Sequence, residues 1–228
     1  MSAIDASTLL RPGLLEHVSI VIARASDAGA EDSVGSDLGA ACTGLGARVW
    51  ACELAADWGV EGQEDATARA AAEAGAQALA DSGAIGLLAV DAASVFSRAC
   101  EDGGHTSRRG GDGYATRHAL GACLDASWNV TRVVAERAFL PDSRGGRIVY
   151  VAPRSDAGEH ADAACAGLEN LARTLSIEWA RHGVTAVAIA PGMASAAELA
   201  ALTAYLASPA GAYFSGCLLD LRGPAHRP

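Results

Sequence analysis

Lysine is absent from the 228-residue sequence; all 17 basic residues are arginine. That excludes every step needing a lysine ammonium or a lysine Schiff base. There is no C-x-x-C pair either. The six cysteines (Cys42, Cys52, Cys100, Cys123, Cys165, Cys217) lack metal-ligand spacing and the six histidines are equally dispersed, so no metal site is expected. A disulfide framework is not expected in so apolar a chain, and reduced thiols in the cytoplasm are. No apolar run is long enough to span a membrane, and the opening MSAIDASTLLRPG has no basic region followed by an apolar stretch, so neither a membrane span nor a signal peptide is expected. A formal net charge of −10 argues against a broad nucleic-acid surface.

Half of the residues are hydrophobic and 19% are charged, which suits a folded globule. The length suits one domain spanning 1–228, with 1–15 as an N-terminal extension. His17 to Ala23 (HVSIVIA) reads as a buried strand, followed by a helix from about Val34 to Leu45 and a strand from Arg48 to Cys52 that ends at Glu53. A helix over Glu64 to Ala80 and a strand over Ile85 to Val90 come next. The stretch 101–117, EDGGHTSRRGGDGYATR, is rich in glycine and polar residues and reads as a flexible surface loop. Beyond it lie a long helix (His118 to Phe139), a strand (Arg147 to Ala152) and a helix (Asp162 to His182) closed by Gly183. Thr185 to Ala190, Ala196 to Leu206 and Cys217 to Leu221 read as strand, helix and strand. This alternation predicts a doubly wound α/β domain, a parallel sheet with helices on both faces, whose ligands sit at the carboxyl ends of the strands.

The segments GGRIVYVAP (Gly145 to Pro153), AGLENLARTLSIEWARHGVTAVAIAPG (Ala166 to Gly192) and YLASPAGAYFSGCLLDLRG (Tyr205 to Gly223) resemble short-chain dehydrogenase/reductases. The match is strong from Gly145 to Gly223 and collinear before that. The resemblance implies a Rossmann-type sheet, an NAD or NADP site, and dimers or tetramers. It also implies a glycine-rich turn, T-G-x-x-x-G-x-G, that lets a pyrophosphate approach backbone N–H groups. Gly35 fits the third glycine. Ala23 and Ser33 fall near the other two, and Asp27, Glu31 and Asp32 place carboxylates where the pyrophosphate would lie. Glu53 matches the acidic residue that binds the adenosine ribose, or is a solvated residue at a strand end.

The resemblance further implies a Y-x-x-x-K pair, in which tyrosine is the general acid/base and lysine lowers its pKa. Ala161 stands in the tyrosine position and Cys165 in the lysine position. The serine that polarises the carbonyl is replaced around Ala152 and Pro153, with Ser155 slightly displaced. N-N-A-G becomes Ala89-Val90-Asp91-Ala92, and Ser127 or Trp128 stands where an assisting asparagine belongs, with Asn129 beside them. Pro191-Gly192 precedes Tyr205-Leu206 by only twelve residues, too few for a substrate lid. His160 is a candidate substitute acid/base, but one helical residue rotates it by about 100° from the lost tyrosine. Cys165 is either a nucleophile or a packing residue.

The expected outcome is a non-catalytic member of the family, without a bound cofactor. It would serve as a structural or regulatory subunit, with itself or with an active relative, through helices 118–139 and 162–182 and the segment 205–223. One alternative is a divergent NAD- or NADP-dependent oxidoreductase acting on a small carbonyl or alcohol. Another is a module that binds some other small molecule.

Overall fold

The computed structural model describes residues 9–26, 34–54, 63–106 and 111–223. In chain order the regular elements are β1 (Ser19–Ala25), α1 (Val34–Gly44), β2 (Arg48–Leu54), α2 (Gln63–Ser82), β3 (Leu87–Asp91), α3 (Ala92–Thr106) and α4 (Gly111–Val134). They continue with β4 (Gly146–Val151), α5 (Ala161–Glu178), β5 (Val184–Ala190), α6 (Ala196–Ala207) and β6 (Cys217–Asp220). All strand pairings are parallel, in the order β2-β1-β3-β4-β5-β6.

Two apolar layers follow from the strand period of two. Val21, Ala23, Leu88, Val90, Ile148, Tyr150, Ala186 and Ala188 point to one face, where they meet α2, α3, α4 and α5. Ile20, Ile22, Leu87, Ala89, Val149, Val151, Val187 and Ile189 point to the other, where Leu38 and Cys42 of α1 and Leu199 and Ala204 of α6 cover them. The central strands β1, β3, β4 and β5 are thus buried on both sides, while the edge strands β2 and β6 are partly exposed. This is the doubly wound α/β architecture expected from the sequence. Tyr150 carries its hydroxyl into the larger core and satisfies it there, 2.8 Å from Thr131 Oγ1.

Several boundaries differ from expectation for local reasons. β1 starts at Ser19 rather than His17, because His17 has a φ of 70° and cannot continue a strand. α4 gives way to a π turn over Ala135–Phe139, where Leu140 N–H reaches Ala135 O at 2.9 Å, and Pro141 then stops the helix. α5 ends at Glu178; a 3-10 turn over Ala180–His182 leads to Gly183 at a φ of 73°, the left-handed stop the sequence announces.

The expected loop over 101–117 is corrected on both sides: α3 runs through Thr106 and α4 begins at Gly111, while 107–110 lie outside the described residues. Each glycine weakens a helix by only about 1 kcal/mol, so buried contacts elsewhere in the helix outweigh them. Val95, Phe96 and Ala99 anchor α3, and Ala119, Cys123 and Ala126 anchor α4. The N-terminal extension is also partly core. Leu15 is fully buried with its N–H on Leu45 O at 3.0 Å, and Leu10 and Leu14 pack nearby; residues 1–8 lie outside the described residues.

Candidate functional site: the carboxyl edge of the sheet

β2 and β3 lie on opposite sides of β1, so the order reverses there and opens a crevice at the carboxyl ends of β1 and β3. Gly35, in the first turn of α1, is buried at its rim. Its N–H donates to Asp91 Oδ2 at 3.0 Å. Asp91 ends β3 and is 1% exposed. Its other oxygen accepts the Ser94 N–H at 3.0 Å, and Ser94 Oγ accepts the Ala25 N–H at 3.1 Å, tying the end of β1 to the start of α3. Burial pushes the Asp91 carboxyl upward in pKa, opposed by the Ser94 and Gly35 hydrogen bonds and the charge of Arg24.

Arg24, within β1, crosses the same space. Its guanidinium donates to Ser36 Oγ and lies 3.3 Å from Glu53 Oε1. A Cβ on Gly35 would stand 3.2 Å from Arg24 Cδ and 3.3 Å from Asp91 Oδ2. The room over the Gly35 amide is therefore filled by this chain's own side chains, a carboxyl among them. A diphosphate does not fit over Gly35 in this arrangement. Gly35 and Glu53, the two expected cofactor residues, are brought to one crevice but engaged by Asp91 and Arg24 respectively. Ala23 is buried in β1; Asp27, Glu31, Asp32 and Ser33 lie outside the described residues.

Farther along the edge, Ala161 opens α5 at 0% exposure and Cys165 follows one turn later at 4%. Both belong to the larger core. Burial pushes the Cys165 thiol up in pKa, opposed by nearby Arg222. Pro153 is buried after β4. Ser155 Oγ donates to Asp162 Oδ1 at 2.7 Å. Asp162 in turn lies 3.7 Å from Arg222, whose Nε donates to Asp220 Oδ1 at 2.9 Å. This polar lattice joins the ends of β4 and β6 to the start of α5, where the resemblance puts the tyrosine–lysine pair. His160 is the N-cap of α5 with non-helical backbone, and its Nε2 is buried without a hydrogen-bond partner among the described residues. Ser127 is buried and donates to Cys123 O at 2.7 Å, while Trp128 is 39% exposed and Asn129 is half-buried.

Asp91, Arg24 and Arg222 were not singled out as site residues from the sequence. Their signal was present for two of them: a charged residue inside the apolar run of β1, and a carboxylate ending the apolar run LLAVD. Among the described residues there is no group of three or more His, Cys, Asp or Glu placed to hold a metal ion, and no helix long and apolar enough to cross a membrane. A groove of about 290 Å³ is lined by Leu9, Leu10, Glu198, Ala201, Leu202 and Tyr205, none of which belongs to the crevice.

No family model matches the chain, and no curated protein matches it. Solved structures do. A citronellol catabolism dehydrogenase from Pseudomonas aeruginosa PAO1 superimposes with a TM-score of 0.67 at 23% identity, covering 96% of this chain and 99% of that one. A hydroxysteroid dehydrogenase from Escherichia coli gives 0.63 at 15% identity, over 93% and 98% of the two chains. A variant short-chain dehydrogenase/reductase from Serratia marcescens gives 0.65 at 16% identity, over 91% and 96%. At these identities the likeness is one of fold: the chain has the architecture of those dehydrogenases over nearly its whole length.

Proposed function

We propose that this chain is a short-chain dehydrogenase/reductase that has lost the family's proton-transfer chemistry and serves as a structural or regulatory subunit of an oligomer. The observation that carries the reading is the start of α5, where Ala161 and Cys165, which the family resemblance aligns with the tyrosine and the lysine, are both buried. Alanine has no proton to give, and a buried thiol whose pKa is raised is a poor donor of charge or of ribose contacts. A positioned general acid is worth roughly 10²–10⁴-fold in rate. The nearest substitutes are otherwise placed: Ser155 donates to Asp162, and His160 precedes the helix with its Nε2 buried.

The subunit role is supported by the outer faces of α4 and α5. Trp128 stacks on Trp179 with ring centroids 6.4 Å apart, and Ile177, in the last turn of α5, is 72% exposed. Ala163 and Ala166 are exposed near the other end of α5. An antiparallel second copy would set each Ile177 against the partner's small residues, the self-complementary arrangement a two-fold contact needs. Tyr213 and Leu221 add exposed apolar area in the segment 205–223. The pairing takes either a second copy or an active relative.

Light scattering or native mass measurement on the purified chain, alone and after co-purification from its host, tests the subunit role. A dimer or larger species that Trp128→Ala with Ile177→Asp converts to monomer is the expected result. A strict monomer with no partner, or turnover of a carbonyl compound with NADH or NADPH, refutes the proposal. Glu53 favours a second reading, a divergent oxidoreductase, because the resemblance aligns it with the acidic residue that holds the ribose. That reading requires measurable NAD(H) or NADP(H) binding by calorimetry and ends if none is seen at millimolar cofactor.

A further inference from the structure

We propose that Asp91 is a built-in anion. Its carboxylate occupies the place on the first turn of α1 that a diphosphate would take, with Arg24 as counter-charge, so the crevice is closed to phosphate ligands from within the chain. The inference shares the crevice with the functional reading above but does not depend on the oligomer.

The Gly35 amide, in the first turn of α1, lies at the positive end of that helix, where partial positive charge favours an anion. That amide donates to Asp91 Oδ2. Each carboxylate oxygen accepts a backbone N–H, from Gly35 on one side and Ser94 on the other, which is how an oxyanion is held. The group is almost wholly buried, so the contact is enclosed rather than a solvated surface pair. Arg24 lies against the same glycine through its side-chain methylene, and its guanidinium reaches Ser36 and Glu53 on the crevice's other wall. Ser94 completes the closure by linking the ends of β1 and β3 through its hydroxyl. A phosphate arriving at Gly35 would have to displace the carboxylate or stand within a few ångströms of a like charge with little solvent between.

The deciding experiment is Asp91→Ala, which removes both the charge and the side chain that covers the Gly35 amide, titrated with ADP by calorimetry at low salt. The variant is expected to bind ADP about 100-fold more tightly than the parent chain, since like-charge repulsion at this range exceeds that factor. Inorganic pyrophosphate should compete if the diphosphate makes the contact; failure to compete would place ADP elsewhere and overturn the proposal. Equal affinity in the two proteins, or micromolar ADP binding by the parent chain, would also overturn it. If the variant does not fold by circular dichroism, the Gly35 amide resonance of the parent chain decides: it should stay unmoved through millimolar ADP, and a saturable shift refutes the built-in anion. Failure of this inference leaves the mass measurement and the turnover assay untouched, so the two readings fall separately.

Discussion

Installing a tyrosine–lysine pair by Ala161→Tyr together with Cys165→Lys should damage the protein rather than confer activity. Ala161 is 0% exposed and Cys165 4%, and both sit in the larger core. Added methylenes in a packed core destabilise by roughly 1–3 kcal/mol, and a phenol in place of a methyl belongs at the upper end. The lysine would bring a second cation beside Arg222, partly offset by Asp162, Glu169 and Asp220, which also act on this position. Desolvation of an ammonium adds a few kcal/mol unless it is paired. A combined loss of about 3–6 kcal/mol is a large share of the 5–15 kcal/mol of a typical domain. With a urea slope of roughly 2–3 kcal/mol per molar, the unfolding midpoint should fall by about 1–3 M. Urea titration followed by circular dichroism measures this, and nicotinamide absorbance in the presence of a carbonyl compound measures turnover. A variant whose midpoint is unchanged, and which oxidises the reduced cofactor, would show that the space was open and refute the reasoning.

Asp91 should leave a pH signature. Its folded-state pKa lies above the ordinary 3.8, so between those two values the native state binds the proton first and this group's contribution to stability rises as pH falls. The unfolding free energy of the parent chain relative to Asp91→Asn should therefore increase on acidification; a difference flat with pH contradicts it. Alkylation with iodoacetamide at mildly alkaline pH should reach the partly exposed Cys100 and Cys217 first, because burial pushes the Cys42 and Cys52 thiols up to about 12. Mass mapping that finds Cys42 or Cys52 modified earliest would refute this. Tyr150→Phe should lose about 1–3 kcal/mol in chemical denaturation, since it strands the buried Thr131 hydroxyl; an unchanged midpoint would mean that Thr131 finds another partner.

The sheet was legible because its strands are short apolar runs whose alternate residues feed two separate cores, and Gly183 could be read as a helix stop from its position alone. The boundary at His17 was not, since a left-handed φ at a histidine has no signal in a single sequence. α3 was missed because Glu101 to Thr106 is polar and glycine-containing, while what holds the helix is Val95, Phe96 and Ala99 against the core. Ala161 and Cys165 could be aligned with the tyrosine and the lysine because they lie in one continuous stretch with the resembling segment. The crevice could not be located in this way. Asp91 meets Gly35 across 56 positions of sequence and Arg24 meets Glu53 across 29, contacts that exist only once β1, β2 and β3 are side by side.

β5 ends at Ala190 and α6 begins at Ala196, with the Ser195–Glu198 capping box holding the start of that helix. So brief a tether has no slack to swing over a guest and back. Whatever settles near Met193 and Arg154 therefore stays in direct exchange with bulk water, and its residence time is governed by the contacts it makes on arrival. Such an edge suits a surface met by another macromolecule better than a chamber that must be sealed before a reaction can begin.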